Sequence, residues 1–172
     1  SCTGSPVNPE DFTYSGESNW RYYYMSNYNV SWTESVEICE NNGGHLVTIA
    51  DESENNFVST IVNEHTWIGL FSDNPCNGPW EWVTGEPLTY ENWNPGEPSC
   101  ESYVYFNSET SAWTDTGDPE NHSFILEFEL NPGCTDSLAS NYDPNANVDD
   151  SSCIYPNPYS LSFDGVDDYV AG

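Results

Sequence analysis

Between residues 12 and 28 aromatic side chains crowd the chain, and Tyr22-Tyr23-Tyr24 predicts a strand. Ser31-Trp32-Thr33-Glu34 then has the pattern of a capping box, with Ser31 as N-cap and Glu34 three residues on. Trp32, Val36 and Cys39 recur behind it at helical spacing, and Gly43-Gly44 ends the helix. Residues 45–49 predict a short strand. Asp51 or Ser53 caps a second helix with Phe57, Val58, Ile61 and Val62 on one face, and residues 66–70 predict a buried strand. Residues 72–100 are rich in Pro, Gly and Asn, interrupted by Trp80-Glu81-Trp82; residues 103–106, 112–113 and 124–128 predict closing strands. Two early helices, several strands and one long loop make an α+β pattern. An irregular loop of that length is usually functional.

Composition narrows the picture. Aromatic residues make up 15% of the chain, so the core is expected to be built largely from Trp, Tyr and Phe. No run of about 18 apolar residues offers a membrane span. No basic, apolar leader is visible, and an opening at Ser1-Cys2 is that expected of a mature or excised piece. Charge changes the picture most. There are 29 acidic residues and one basic one, Arg21, for a net charge of −28. Such a surface repels nucleic acid and anionic membrane. It suits salty water, and it suits the binding of calcium, a hard cation that takes oxygen ligands. Six cysteines with no C-x-x-C pair argue against zinc ribbons and thioredoxin chemistry, and for disulfides in an oxidising, extracellular compartment.

Taken in order, several motifs resemble the C-type lectin domain across residues 12–130. They are Ser31-Trp32-Thr33-Glu34, Cys39, Gly43-Gly44-His45-Leu46-Val47, Trp67-Ile68-Gly69-Leu70, Trp80-Glu81-Trp82, Asn92-Trp93, Gly96-Glu97-Pro98 and Trp113-Thr114-Asp115. The resemblance implies a looped α+β domain: two helices flank small antiparallel sheets, and a long loop carries a calcium and ligand site. In the family, a Glu-Pro-Asn or Gln-Pro-Asp triplet and a Trp-Asn-Asp triplet supply calcium ligands, and sugar hydroxyls complete the shell. Carried over, the metal positions are Glu97, Ser99, Thr114 and Asp115, with Glu101 as a substitute for an acidic ligand. The glycan contacts are Glu97, Ser99, Thr114, Asp115 and an aromatic wall of Trp93, Trp80 or Tyr90. Ser99 and Thr114 depart from the family, which has amide side chains there. Both of its usual bridges also lose one end. Cys2, Cys39, Cys76 and Cys100 are left with three possible pairings. Cys76–Cys100 and Cys2–Cys39 are expected, with a buried Cys39 thiol as the alternative.

Residues 1–11 form a turn-rich N-terminal segment and residues 131–156 an acidic module. The stretch 133–155 resembles a short acidic repeat of large secreted bacterial surface proteins. Its Asp143, Asn145, Asn147 and Asp149 alternate like the first half of an EF-hand loop, so calcium or water-solvated Asx turns are both open there. Cys134 and Cys153 bracket the loop and are expected to pair, for about 3 kcal/mol in the chain-entropy model. Residues 157–172 resemble the opening strand of a laminin-G or concanavalin-like domain, which implies a longer multidomain protein. His45, His65 and His122 fall in no catalytic motif, so no enzyme is expected. The sequence thus points to an extracellular, calcium-dependent carbohydrate-binding adhesin module. A protein-binding or spacer module of the same fold is the alternative. Glycan or surface protein, and neighbouring domains of the same chain, are the expected partners.

Overall fold

A computed structural model of the chain describes residues 7–117 and 120–155. The chain divides into two compact units between Glu129 and Leu130. The first opens with a hairpin of β1 (Phe12–Ser18) and β2 (Arg21–Ser26), followed by helix α1 (Trp32–Asn41), β3 (His45–Leu46) and helix α2 (Glu52–Ile61). Then come β4 (Thr66–Phe71), β5 (Glu81–Trp82), β6 (Tyr103–Asn107), β7 (Ala112–Thr116) and β8 (Ser123–Glu129). The strands lie in the order β1-β2-β8-β4-β6-β7, with β3 added on β8 and β5 on β4. Pairing is antiparallel except between β4 and β8, where Thr66 lies opposite Ser123 and Trp67 opposite Phe124. The last strand therefore returns to lie between the first hairpin and the loop-bearing strands. This is the looped α+β architecture expected from the motif order.

Local chemistry sets the helix ends. The Glu34 N–H donates to Ser31 Oγ at 3.3 Å, and the Ser31 N–H donates to Glu34 Oε2 at 3.2 Å. Asp51, rather than Ser53, caps α2 by accepting the Glu54 N–H at 2.9 Å. Past α1 the chain must pass close to β8, and a side chain on Gly44 would collide with the Glu127 carbonyl. The strand expected over residues 45–49 is regular only at His45 and Leu46. Val47 and Ile49 remain fully buried, and the Val47 N–H reaches Ile125 O at 3.0 Å.

β8 is buried on both faces, and its alternation sorts the core into two. Phe124 and Leu126 pack with Trp32, Cys39, Leu46 and Trp67 on the α1 side. Ile125 packs with Val58, Ile68, Leu70, Phe106 and Trp113 on the α2 side. A fully buried side chain of this size contributes roughly 1.5–3 kcal/mol. Three of the four buried indoles find an acceptor: Trp32 Nε1 donates to Ile68 O at 2.8 Å, Trp67 Nε1 to Val30 O at 2.8 Å, and Trp113 Nε1 to Asn55 Oδ1 at 2.9 Å. The helix faces differ from the apolar spacing. α1 buries Trp32, Ser35 and Cys39, while Val36 stays half-buried; α2 buries Glu54, Asn55 and Val58. Both polar residues on α2 are drawn in by partners that the local pattern does not contain.

Cys76 is bridged to Cys100, and Cys134 to Cys153. The expected bridge from Cys39 to Cys2 is corrected: Cys39 is a free thiol. It sits fully buried on the inner face of α1 among Trp32, Leu46 and Leu126, where burial pushes its pKa upward. Cys2 lies outside the described residues, as does the laminin-G-like stretch 157–172.

The second unit holds β9 (Pro132–Gly133) and β10 (Val148–Asp149), paired in parallel. Its acids and amides accept backbone N–H groups, within turns and between segments. Asp143 Oδ1 accepts the Asn145 N–H at 2.9 Å, Asn147 Oδ1 the Asn131 N–H at 2.8 Å, and Asp149 Oδ1 the Ser151 N–H at 3.0 Å.

Candidate functional site

Backbone pairing of the long loop with the outer strand β7 builds the site. The Trp113 N–H donates to Asn92 O at 2.7 Å, and the Asn94 N–H donates to Trp113 O at 2.8 Å. Asn94 Nδ2 donates to Thr114 Oγ1 at 2.7 Å, and the Glu97 N–H closes a turn onto Asn94 O at 3.0 Å. These contacts lay the cis Glu97–Pro98 peptide and Ser99 alongside Asp115. The Cys76–Cys100 bridge ties the same segment to the start of the loop.

Asp115 is buried, and its carboxylate is held by the loop. Oδ1 and Oδ2 accept the Ser99 N–H at 2.8 and 2.9 Å, Oδ2 accepts the Glu101 N–H at 2.7 Å, and Ser99 Oγ donates to Oδ1 at 3.3 Å. Glu97 faces the same carboxylate. Its pKa is raised, first by hydrogen bonding with Asp115, then by partial burial and by the Asp115 charge; Ser99 acts against this. Its Oε2 is buried without a hydrogen-bond donor.

Two carboxylates in contact with an unpaired buried oxygen call for a positive charge from outside the chain. The donors available are all oxygens: two carboxylates, the Ser99 and Thr114 hydroxyls, and nearby carbonyls. That donor chemistry fits calcium. The charge count is low, however. Among the described residues no group of three or more His, Cys, Asp or Glu converges to hold a metal.

The other expected residues fall out as follows. Glu101 serves through its backbone N–H, while its carboxylate lies beside Gly117. Trp93 is half-buried, with Trp80 at 4.9 Å and Trp113 at 5.8 Å between ring centroids, and its Nε1 donates to Glu91 at 2.9 Å. Tyr90 packs on Trp113 at 5.8 Å. The aromatic residues thus support the loop from beneath, and only part of each remains accessible. His45 Nδ1 is 3.1 Å from Leu46 O, His65 stacks on Tyr105, and His122 Nε2 lies 3.0 Å from Glu120.

Sequence reasoning quoted Asn92 without a role, and it missed Asn94, which with Asn92 docks the loop, and a second acidic cluster around Arg21. Its guanidinium meets Glu54 at 2.6 Å and Glu127 at 2.9 Å, with Glu86 at 3.6 Å and Glu129 at 3.8 Å. Tyr23 OH donates to Glu54 at 2.8 Å, and the Thr48 and Ala50 N–H groups donate to Glu127 and Glu54 at 2.9 and 2.7 Å. Burial raises Glu127 to about 8, although Arg21 and the Thr48 N–H pull it down. One signal was present: Arg21 is the sole basic residue of the chain, and a lone cation among 29 acids invites the question of what it holds.

A family model for the lectin C-type domain matches residues 28–128. The chain is 32% identical over 124 residues to rat lithostathine, covering 65% of this chain and 74% of that protein. It is 32% identical over 126 residues to mouse C-type lectin domain family 6 member A, covering 65% and 60% of the two chains. Among solved structures it is similar to a calcium-independent type II antifreeze protein, at TM-score 0.62 and 26% identity, covering 72% of this chain and 95% of the other. It is also similar to the cow C-type carbohydrate-recognition domain of CD23 in the presence of GlcNAc2Man3 oligosaccharide, at TM-score 0.62 and 28% identity, covering 73% and 98%. These relatives are animal proteins and lend nothing to a bacterial origin.

Proposed function

The chain belongs to the C-type lectin domain family, and on that footing we propose that it is an extracellular, calcium-dependent carbohydrate-binding module whose site is the Glu97–Asp115 edge. The observation that carries this reading is the contact between the Glu97 and Asp115 carboxyls, with the buried Glu97 Oε2 left without a donor. Glu97, Asp115, Ser99 and Thr114 would hold the ion. Bound calcium supplies a centre on which vicinal hydroxyls of a sugar can replace water. The chain's own residues do the rest. Three hydrogen bonds from Ser99 and Glu101 fix Asp115 before any ligand arrives. Glu97 accepts a hydroxyl hydrogen bond from the sugar, and Trp93, packed on Trp80, gives the loop a stiff backing. Pre-set geometry lowers the ordering cost of binding. Each site is still weak, so strong adhesion rests on many copies in a longer surface protein. The resemblances of residues 133–155 and 157–172 to parts of such proteins support that setting, and the two disulfides suit an oxidising compartment. No catalytic step is assigned.

A second reading has its own support. The Ser99 and Thr114 hydroxyls are already engaged by Asp115 and Asn94, and the fold is shared with a calcium-independent antifreeze protein. On that reading the domain is a protein-binding or spacer module. A glycan array with calcium and with chelator separates the two. Binding that needs calcium and disappears in Glu97→Gln supports the first reading. A folded chain that ignores every glycan in both conditions overturns it.

A further inference from the structure

Away from the β7 edge, a groove of about 310 Å³ opens between the β1–β2 hairpin and the end of α2. Its polar residues divide into two sets. Thr13, Ser15, Ser26 and Asn27 are engaged with the protein: Thr13 Oγ1 donates to Asn27 Oδ1 at 2.7 Å, and Ser15 Oγ donates to Thr13 O at 3.1 Å while accepting the Met25 N–H at 3.3 Å. Ser26 Oγ donates to Tyr28 O at 2.8 Å and accepts the Phe124 N–H at 2.9 Å. Asn29, Asn63 and Glu64 also line the groove, and among the described residues their side chains make no hydrogen bond. Half-buried Met25 and Ile61 give a small apolar floor.

Charge limits what can enter. Arg21 is the chain's only Lys or Arg, and it is engaged by Glu54 and Glu127, so an anionic ligand finds no Lys or Arg partner here. Amides offer donor and acceptor side by side, the carboxylate accepts from hydroxyls, and the floor suits the apolar face of a ring. The volume fits a compact ring unit better than an extended chain. We propose that this groove is a second, metal-free subsite for a neutral saccharide. It goes beyond the calcium-edge reading and does not depend on it. In the strand order it lies on β1 and β2 at one end, while Asp115 lies on β7 at the other. One domain can then hold two sugar units at once and bridge glycans as well as grip them.

The test is backbone-amide NMR of the full chain in chelator, titrated with the methyl glycosides of glucose, galactose, mannose and N-acetylglucosamine. At least one sugar should shift the amides of residues 13–15, 25–29 and 61–64 in a saturable way. Asn63→Ala should bind about tenfold more weakly, the loss of roughly one good hydrogen bond. Both positions of the pair Asn63 and Glu64 are exposed, so Asn63→Ala and Glu64→Ala are expected to keep the parent amide spectrum elsewhere. Asp115→Asn, which removes the calcium edge, should leave the groove shifts intact. The proposal is overturned if no sugar moves the groove amides, if the shifts map to residues 97–115 in chelator, or if a simple amine moves the groove while the sugars do not.

Discussion

The Arg21 cluster and the Glu97–Asp115 edge are both made of carboxylates, and they differ in where their positive charge comes from. At Arg21 the protein supplies it. A guanidinium lies between Glu54 and Glu127, both almost fully buried, and backbone N–H groups satisfy much of what remains. At Glu97 and Asp115 the protein supplies only hydroxyl and N–H donors, and one buried oxygen stays unpaired. The first arrangement is closed and fastens β2, α2 and β8 together. The second is left open toward solvent, as the proposed cation and ligand site requires. Counting acids does not separate them; finding the neutralising charge does.

The largest effect should come from breaking the closed cluster. Arg21→Met takes the cation away from the buried Glu54 and Glu127 and is expected to cost about 3–5 kcal/mol in chemical denaturation. Replacing Glu127 by Leu in the same chain should recover much of that loss, because the buried ionisable group that has lost its partner goes with it. A loss of under about 1 kcal/mol for Arg21→Met would sink the contrast.

The open edge should respond in the opposite sense. Without calcium, Glu97→Gln removes a like-charge contact, so its melting temperature should equal or exceed that of the parent. With calcium at a hundredfold excess over the dissociation constant, the parent should gain about 2.7 kcal/mol and Glu97→Gln should gain little. Equal calcium shifts in both proteins would place the ion elsewhere.

A pH series sharpens the contrast further. The Glu127 carboxyl rises from 4.5 to about 8 on folding, because burial disfavours its charge. The folded state therefore holds that proton more tightly than the unfolded chain. Its contribution to stability is full below about pH 4.5 and is lost as pH climbs through 8. Unfolding free energy, measured in chelator to silence the open edge, should fall across that window. In Arg21→Met the window should move upward, since Arg21 is what pulls the Glu127 value down. The smallest expected change is Ser99→Asn: an amide oxygen in place of a hydroxyl should tighten calcium binding a few-fold by calorimetry.

Much of this architecture was legible in residue order. The capping box at Ser31 and Glu34, the cap at Asp51 and the strand at residues 66–70 are local, since the groups that form them lie within a few residues of one another. The carboxylates of the open edge were legible too, because Glu97-Pro98 and Trp113-Thr114-Asp115 are contiguous motifs. Their relation was not. That Asp115 is held by the Ser99 and Glu101 N–H groups, and that Asn94 docks on Thr114, depends on a pairing of loop to strand that no local pattern encodes.

The sequence by itself determined the fold class, the helix starts, the acidic surface and the aromatic make-up of the core, because periodicity, caps and composition act over short range. Only the tertiary structure decided which acids are buried. In the run Phe124-Ile125-Leu126-Glu127-Phe128 the alternation is lost, since β8 is covered on both faces, and nothing in the run says that Glu127 turns inward. It does so because Arg21, more than a hundred residues earlier, reaches it from the neighbouring strand β2 and brings the charge that makes its burial tolerable. Cys39 was decided in the same way: the spacing that put it on the apolar face of α1 was readable, but that it stays a free thiol followed from the closure of β8 over it.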